Sequence, residues 1–241
     1  MFEEVLIMIL KDIAFTQYYH GYVTIEGDEL TAELNDLVKV KDDDCYMLCS
    51  SYVAKDGLLH FNVLSIGSKW ENCTRGLHFK KMLGDFEIGS VADCDARIVD
   101  PDEDMIHKNE PFMEKMDQGT DEGVMKARED ERLNGLRDIW YPDDILVGIV
   151  TEKQISEYYM EITGIQGPFL MGKLLEEPQI DPNIHNGDPV WALPYLAHDG
   201  CRLYALYAGN NLNKEQKEKI RQIIQECNEG GISFSGLSLR S

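Results

Sequence analysis

The sequence predicts an α+β fold: antiparallel β-sheets with flanking helices, divided between two domains of similar size. Three observations carry that expectation. Short β-textured runs separated by turn signals recur through both halves. Helical periodicity is confined to a few segments, most of them near the ends of the halves. A polar, acidic stretch punctuated by Pro and Gly divides the chain near its middle. At 241 residues, and with roughly 150 residues per domain as a prior, one large or two small domains are expected. The division is placed at 1–115 and 116–241.

Taken in order, Phe2, Val5, Leu6, Ile9, Leu10 and Ile13 follow the i, i+3, i+4, i+7 spacing of one helical face, which predicts an opening helix. Val5–Leu10 also suits a buried strand. The runs YVTIE, CYMLCSSYV, LLHFNVLSI and ADCDARIVD then read as strands, set apart by Glu26-Gly27-Asp28, Lys55-Asp56-Gly57 and Leu83-Gly84-Asp85. Asp28 to Val38 can carry a helical turn. From Asp100 to Gly123 the polar stretch reads as a linker or surface excursion, interrupted by a short helix around Pro111 to Met116. Leu133, Leu136 and Trp140 at i, i+3, i+7 predict a helix within Asp121–Trp140, stopped by Pro142. Strands are expected at about 145–151, 157–163, 168–175, 188–193 and 202–208. Asn213 with Gln216 forms a capping box for a last helix carrying Ile220, Ile223, Ile224 and Cys227 on one face. Gly230-Gly231 stops it, and ISFSGLSLRS suits a final strand.

Charge narrows the function classes. Forty-four acidic residues face 23 basic ones, a formal net charge of −21. Such a field repels phosphate backbones and anionic membrane surfaces, so neither nucleic acid nor membrane is an expected partner. It favours a basic protein. Six cysteines scattered through a chain of this size suit reduced thiols in a cytoplasmic protein better than a disulfide framework. Glu3 and Glu4 stand where a signal peptide would carry positive charge, and the apolar run is shorter than the roughly 20 residues a membrane span needs.

The constellations that could carry chemistry are few, and no cofactor is expected. Cys45, Cys49, Cys73 and His78 have zinc-like spacings, but Cys45 and Cys49 lie in a strand without a knuckle glycine, where cysteines serve as small hydrophobes. Asp100, Asp102 and Asp104 alternate like calcium ligands, yet Met105 and Pro111 occupy the positions that need Gly and Glu. Ser233 and Ser235 lack the spacing of a nucleophile elbow. No phosphate-binding glycine motif is present. His185 sits in a polar loop, DPNIHNGDP, from which a histidine can reach out. Tyr158-Tyr159, Trp140-Tyr141, Trp191 and Tyr195 supply aromatic surface, either for the core or as anchors ringed by carboxylates.

Four segments in order carry a family resemblance over about residues 121–206: the helix VMKAREDERLNGL, then Glu157-Tyr158-Tyr159-Met160, then Gly172-Lys-Leu174-Leu-Glu176-Glu-Pro178, then Gly187-Asp188-Pro-Val190. In this order they resemble a small bacterial domain family of unknown biochemical function related to the immunity proteins of polymorphic-toxin systems. Tyr158 and Met160 stand where the family has His and Trp, Glu176 stands where it has Asn, and an expected Asp-Trp pair is missing near His198-Asp199. The resemblance implies a non-enzymatic module that occludes a toxin domain.

The expected function is therefore a cytoplasmic protein-binding module meeting a basic partner. Its candidate contacts are Asp42, Asp43, Asp44, Asp102, Glu103, Asp104, Tyr158 and His185. A small hydrolase with a site between the two halves is the alternative, marked by His185 or His198 meeting a cysteine or carboxylate in a pocket. A structural or assembly protein is the third reading.

Overall fold

Fifteen consecutive residues of the expected linker form the longest helix among the described residues. The computed structural model describes residues 7–27, 30–31, 34, 39–73, 83–150, 155–166, 169–179, 184–197 and 200–207. Their α+β architecture has antiparallel sheets with flanking helices, in two compact units. The first comprises 1–120 and 139–142, and the second 121–138 and 143–241. Against the expected division at 115/116, the chain changes unit after Thr120, and the four residues Ile139–Pro142 belong to the first unit.

The first unit is built on strands β1 (Met8–Ile9), β2 (Tyr22–Glu26), β3 (Tyr46–Val53), β4 (Leu59–Gly67), β5 (Asp85–Glu87) and β6 (Asp95–Val99). They form one antiparallel sheet in the order β1-β6-β2-β3-β4-β5. Helices α1 (Phe15–Tyr18), α2 (Trp70–Cys73), α3 (Ile88–Val91) and α4 (Glu103–Asp117) accompany it. Alternation along the strands gives the sheet two unlike faces. Val23, Ile25, Met47, Cys49, Phe61 and Val63 point into an apolar core shared with α1 and α3. Tyr22, Leu48, Leu64 and Val99 lie on the other face with Met105 of α4 and Cys73 of α2.

Where the chain is described, the expected opening helix is replaced by β1 and a single 3-10 turn, Leu10–Asp12. Met8 and Ile9 pair with Ala96 and Asp95, and Leu10 N–H donates to the Cys94 carbonyl. An open backbone ladder on β6 gives these amides partners that the helix would have to supply internally, and Leu10 is fully buried as a result. Leu30 and Thr31 are helical within the expected turn. The expected last helix and final strand, from Asn213 onward, lie outside the described residues.

The second unit contains α5 (Glu122–Arg128), a 3-10 turn (Glu131–Leu136) and strands β7 (Asp144–Val150), β8 (Ile155–Gln166), β9 (Phe169–Leu174), β10 (Pro189–Ala197) and β11 (Gly200–Tyr207). The strands close into a barrel in the order β10-β11-β7-β8-β9, with β11 and β7 parallel and every other pair antiparallel. Ile145, Val147, Met160, Ile162, Leu170, Leu174 and Val190 form its core with Val124, Ala127 and Leu133. Gly172 is required by close approach: a Cβ there would stand 2.4 Å from the Glu161 carbonyl oxygen across the β8–β9 pair. In place of the helix expected within Asp121–Trp140 stand α5 and the 3-10 turn, parted at Glu129-Asp130, where the Asp130 carboxylate accepts the Arg132 N–H and starts the new, tighter turn.

A buried ion pair fixes that break. Arg128, at the end of α5, donates from Nε and Nη2 to both carboxylate oxygens of Asp143, at 2.6–3.2 Å. The side chains are 5% and 12% exposed, so neither charge has water as an alternative partner. Arg137 donates to the Ala127 carbonyl at 2.5 Å and caps the same helix end. Removing one partner strands the other charge. Asp143→Ala is expected to lower the unfolding free energy of the second unit by about 3–5 kcal/mol, read by urea denaturation. Arg128→Met with Asp143→Leu should recover most of that loss, since both charges then leave together.

Candidate functional site

Polar side chains gather on the side of the first sheet that α4 covers. The register sets Val99, Tyr22, Ser50, Asn62 and Asp85 in one row across five strands, with Tyr52 and His60 paired in the next row. Tyr52 donates its hydroxyl to Asp85 Oδ1 at 3.0 Å, and His60 Nδ1 lies 2.7 Å from Asp85 Oδ2. The Tyr52 and His60 rings stack at 5.4 Å. This arrangement orients the imidazole through Nδ1 and pushes the Tyr52 phenol well above its ordinary range, by burial and by the adjacent carboxylate.

Helix α4 closes over this face. Asp102 caps it by accepting the Met105 N–H at 2.8 Å, and Glu103 and Asp104 complement the positive end of its dipole. Tyr22 donates to the Met105 carbonyl at 3.2 Å, the Asn109 carboxamide lies beside the same hydroxyl, and Phe112 meets Tyr52 edge-on at 5.3 Å. At the far end of α4, Asp117 Oδ1 stands 3.1 Å from His20 Nε2, and His20 itself has φ +54°. Thr24, Ser50, Asn62 and Asn109 are 2%, 0%, 3% and 2% exposed. Yet Thr24 Oγ1, Ser50 Oγ and Asn62 Oδ1 have no hydrogen-bond partner among the described residues. Each such atom costs roughly 1–3 kcal/mol.

The expected contacts fall in two places. In the first unit, Asp42 and Asp43 are exposed in a turn, while Asp44 Oδ2 accepts the Lys41 N–H at 2.9 Å. Asp102 is the cap of α4, Glu103 is exposed, and Asp104 pairs with Lys108 one turn on. In the second unit, Tyr158 shares the inner side of β8 with Met160 and Ile162, and its hydroxyl accepts the Gln179 N–H at 3.3 Å. His185 Nδ1 lies 2.8 Å from Glu177 Oε1, and Glu177 Oε2 accepts the Asn186 N–H at 2.9 Å. Gly187, at φ +84°, completes this turn, with its N–H on the Leu174 carbonyl. His185 thus does meet a carboxylate, but both side chains are about 60% exposed, at the open surface. His198 and His78 lie outside the described residues. Cys49 and Cys73 sit on opposite faces of the first sheet, and burial pushes the Cys73 thiol up to about 12.

What sequence reasoning missed is the His60–Asp85–Tyr52 cluster and the row beside it. Two groups titrate informatively elsewhere. Glu177 holds the His185 imidazolium, raising the histidine above its ordinary 6.5. In an NMR titration, Glu177→Gln should lower the His185 midpoint, with the Asp188 carboxylate still acting to raise it. Asp144, half-buried and facing Glu161, Asp138 and Asp143, is held up to about 6 from 3.8. Between those two values the folded chain keeps a proton that the unfolded chain releases. Stability of the second unit should therefore fall as pH rises from 3.8 to about 6. Asp144→Asn should flatten that slope in melting curves recorded across the same range.

Compared with protein-family models, with characterised proteins and with solved structures, the chain has no match in any of the three.

Proposed function

We propose that the chain is a non-enzymatic, cytoplasmic protein-binding module that occludes a basic surface of its partner, in the manner of an immunity protein covering a toxin domain. The observation that carries this reading is the outward side of α4. Ile106 is 51% exposed there. Asp102, Glu103 and Glu110 stand four before, three before and four after it, so one helical face sets an apolar anchor among carboxylates. An apolar contact that excludes water inside a ring of charge is the chemistry of an interface centre, and a net charge of −21 steers a basic partner toward it. Asp42 and Asp43 extend the acidic surface of the same unit. The immunity assignment itself rests on the order of motifs in residues 121–206. Among the described residues, no helix is long and apolar enough to cross a membrane.

The immobilised full-length chain should retain a basic protein from an extract of its native host at low ionic strength. Capture should collapse between roughly 0.1 M and 1 M salt, where the screening length falls from about 10 Å to about 3 Å. Glu110→Lys, and separately Ile106→Ser, should each abolish it while leaving the melting temperature of the free protein unchanged. Equal capture by wild type and both variants at both salt concentrations would overturn the reading.

A further inference from the structure

We propose that the last turns of α4, Pro111–Asp117, form a hinged arm that detaches from the sheet while Glu103–Glu110 stays in place. Pro111 stands inside the helix. It has no N–H to give the His107 carbonyl one turn back, and its ring crowds that carbonyl, so the helical ladder has a gap between the two segments. Burial changes at the same point. Met105 and Asn109, the buried residues of α4, both precede Pro111, and no residue from Pro111 to Asp117 is buried. Met105 keeps the first segment seated in the cluster of Tyr22, Leu48, Leu64 and Val99, which stays covered when the arm leaves.

Phe112 and Asp117 hold the arm to the sheet. Phe112 meets the Tyr52 ring edge-on, and Asp117 Oδ1 accepts from His20 Nε2 at 3.1 Å, with the two side chains 16% and 27% exposed. His20 is a latch set in advance. Its backbone is held at φ +54°, where a residue with a Cβ is rarely found, while Gly21 N–H donates to the Tyr18 carbonyl and Ser51 N–H to the Gly21 carbonyl. The Tyr19 ring stacks on the imidazole at 4.0 Å and fixes its direction. Beyond Asp117 the chain turns at Gly119, φ +96°, with open space where a Cβ would stand, so the arm has a point of rotation at each end. A segment this short does not hold a helix alone, so detachment is also unwinding, and it takes Phe112 off the Tyr52 ring.

The test is hydrogen exchange of the full-length protein, read amide by amide by NMR. Met113–Asp117 should exchange at least about tenfold faster than Ile106–Glu110. Ordinary fraying of a helix end gives the same order, and Asp117→Ala separates the two. Alanine favours the helix, and removing a carboxylate from the negative end of the dipole favours it again, so fraying alone predicts slower exchange. Loss of the latch predicts exchange of the arm about tenfold faster, with Ile106–Glu110 unchanged. Pro111→Ala restores the missing N–H and should slow the arm at least about threefold. Equal exchange of the two segments in the wild type overturns the proposal. An arm that Asp117→Ala slows or leaves unchanged overturns it too, as does one that Pro111→Ala leaves unchanged. Capture of a basic partner through Ile106 and Glu110 belongs to the first segment and is read separately.

Discussion

The first unit depends on one constraint: a six-stranded sheet whose two faces must both be withdrawn from water although one of them sets polar side chains beside its apolar ones. Strand geometry sends alternate side chains to opposite sides. Met47, Cys49, Phe61 and Val63 therefore build a core on one side, while Ser50, Tyr52, His60 and Asn62 are committed to the other. Covering that second side with α4 removes polar groups from solvent and obliges them to find partners. Tyr52, Asp85 and His60 find them in each other. Tyr22 finds one on the covering helix itself. The same obligation explains why α4 carries Asn109 on its inner side where an ordinary amphipathic helix would carry an aliphatic residue.

The second unit meets the problem of buried polarity differently. Its barrel interior is apolar, and the charges it withdraws from water are joined before they are buried, with the guanidinium of Arg128 spanning both oxygens of Asp143. Carboxylates left over at that end, Asp144 and Glu161 among them, stand opposite each other across the β7–β8 pair. Their mutual repulsion, added to burial, holds the proton on Asp144. One unit thus stores its frustration as hydrogen-bonding groups without partners, the other as a carboxylic acid that resists ionisation.

Much of this was legible in the residues. YVTIE is β2 without a residue added or lost, and all five barrel strands lie within a few residues of their expected positions. Period-two alternation and turn residues are local properties, so a single sequence reports them. The failures share a physical cause, which is that the deciding partner is distant in sequence. Ile9 fits a helical face equally well, and the free ladder of β6, some 85 residues on, decides for a strand. The acidic run from Asp100 reads as solvated because three of its carboxylates stand at a helix start, where charge serves the cap and dipole as well as solubility. HFNVLSI alternates identically whether its polar side meets water or a helix. His60 with Asp85, and Arg128 with Asp143, are joined only by tertiary register, for which spacing carries no signal.

The lengths of the strands at the margins carry a last consequence. A closed barrel has no terminal strand, and the open sheet ends in two residues at β1 and three at β5. The outermost strands of the open sheet, β1 and β5, are too short to template another chain's strand, which guards those two margins against edge-to-edge aggregation. A partner that meets either margin must then be held by side-chain shape and charge, so the contact can drift by point substitution without disturbing the sheet.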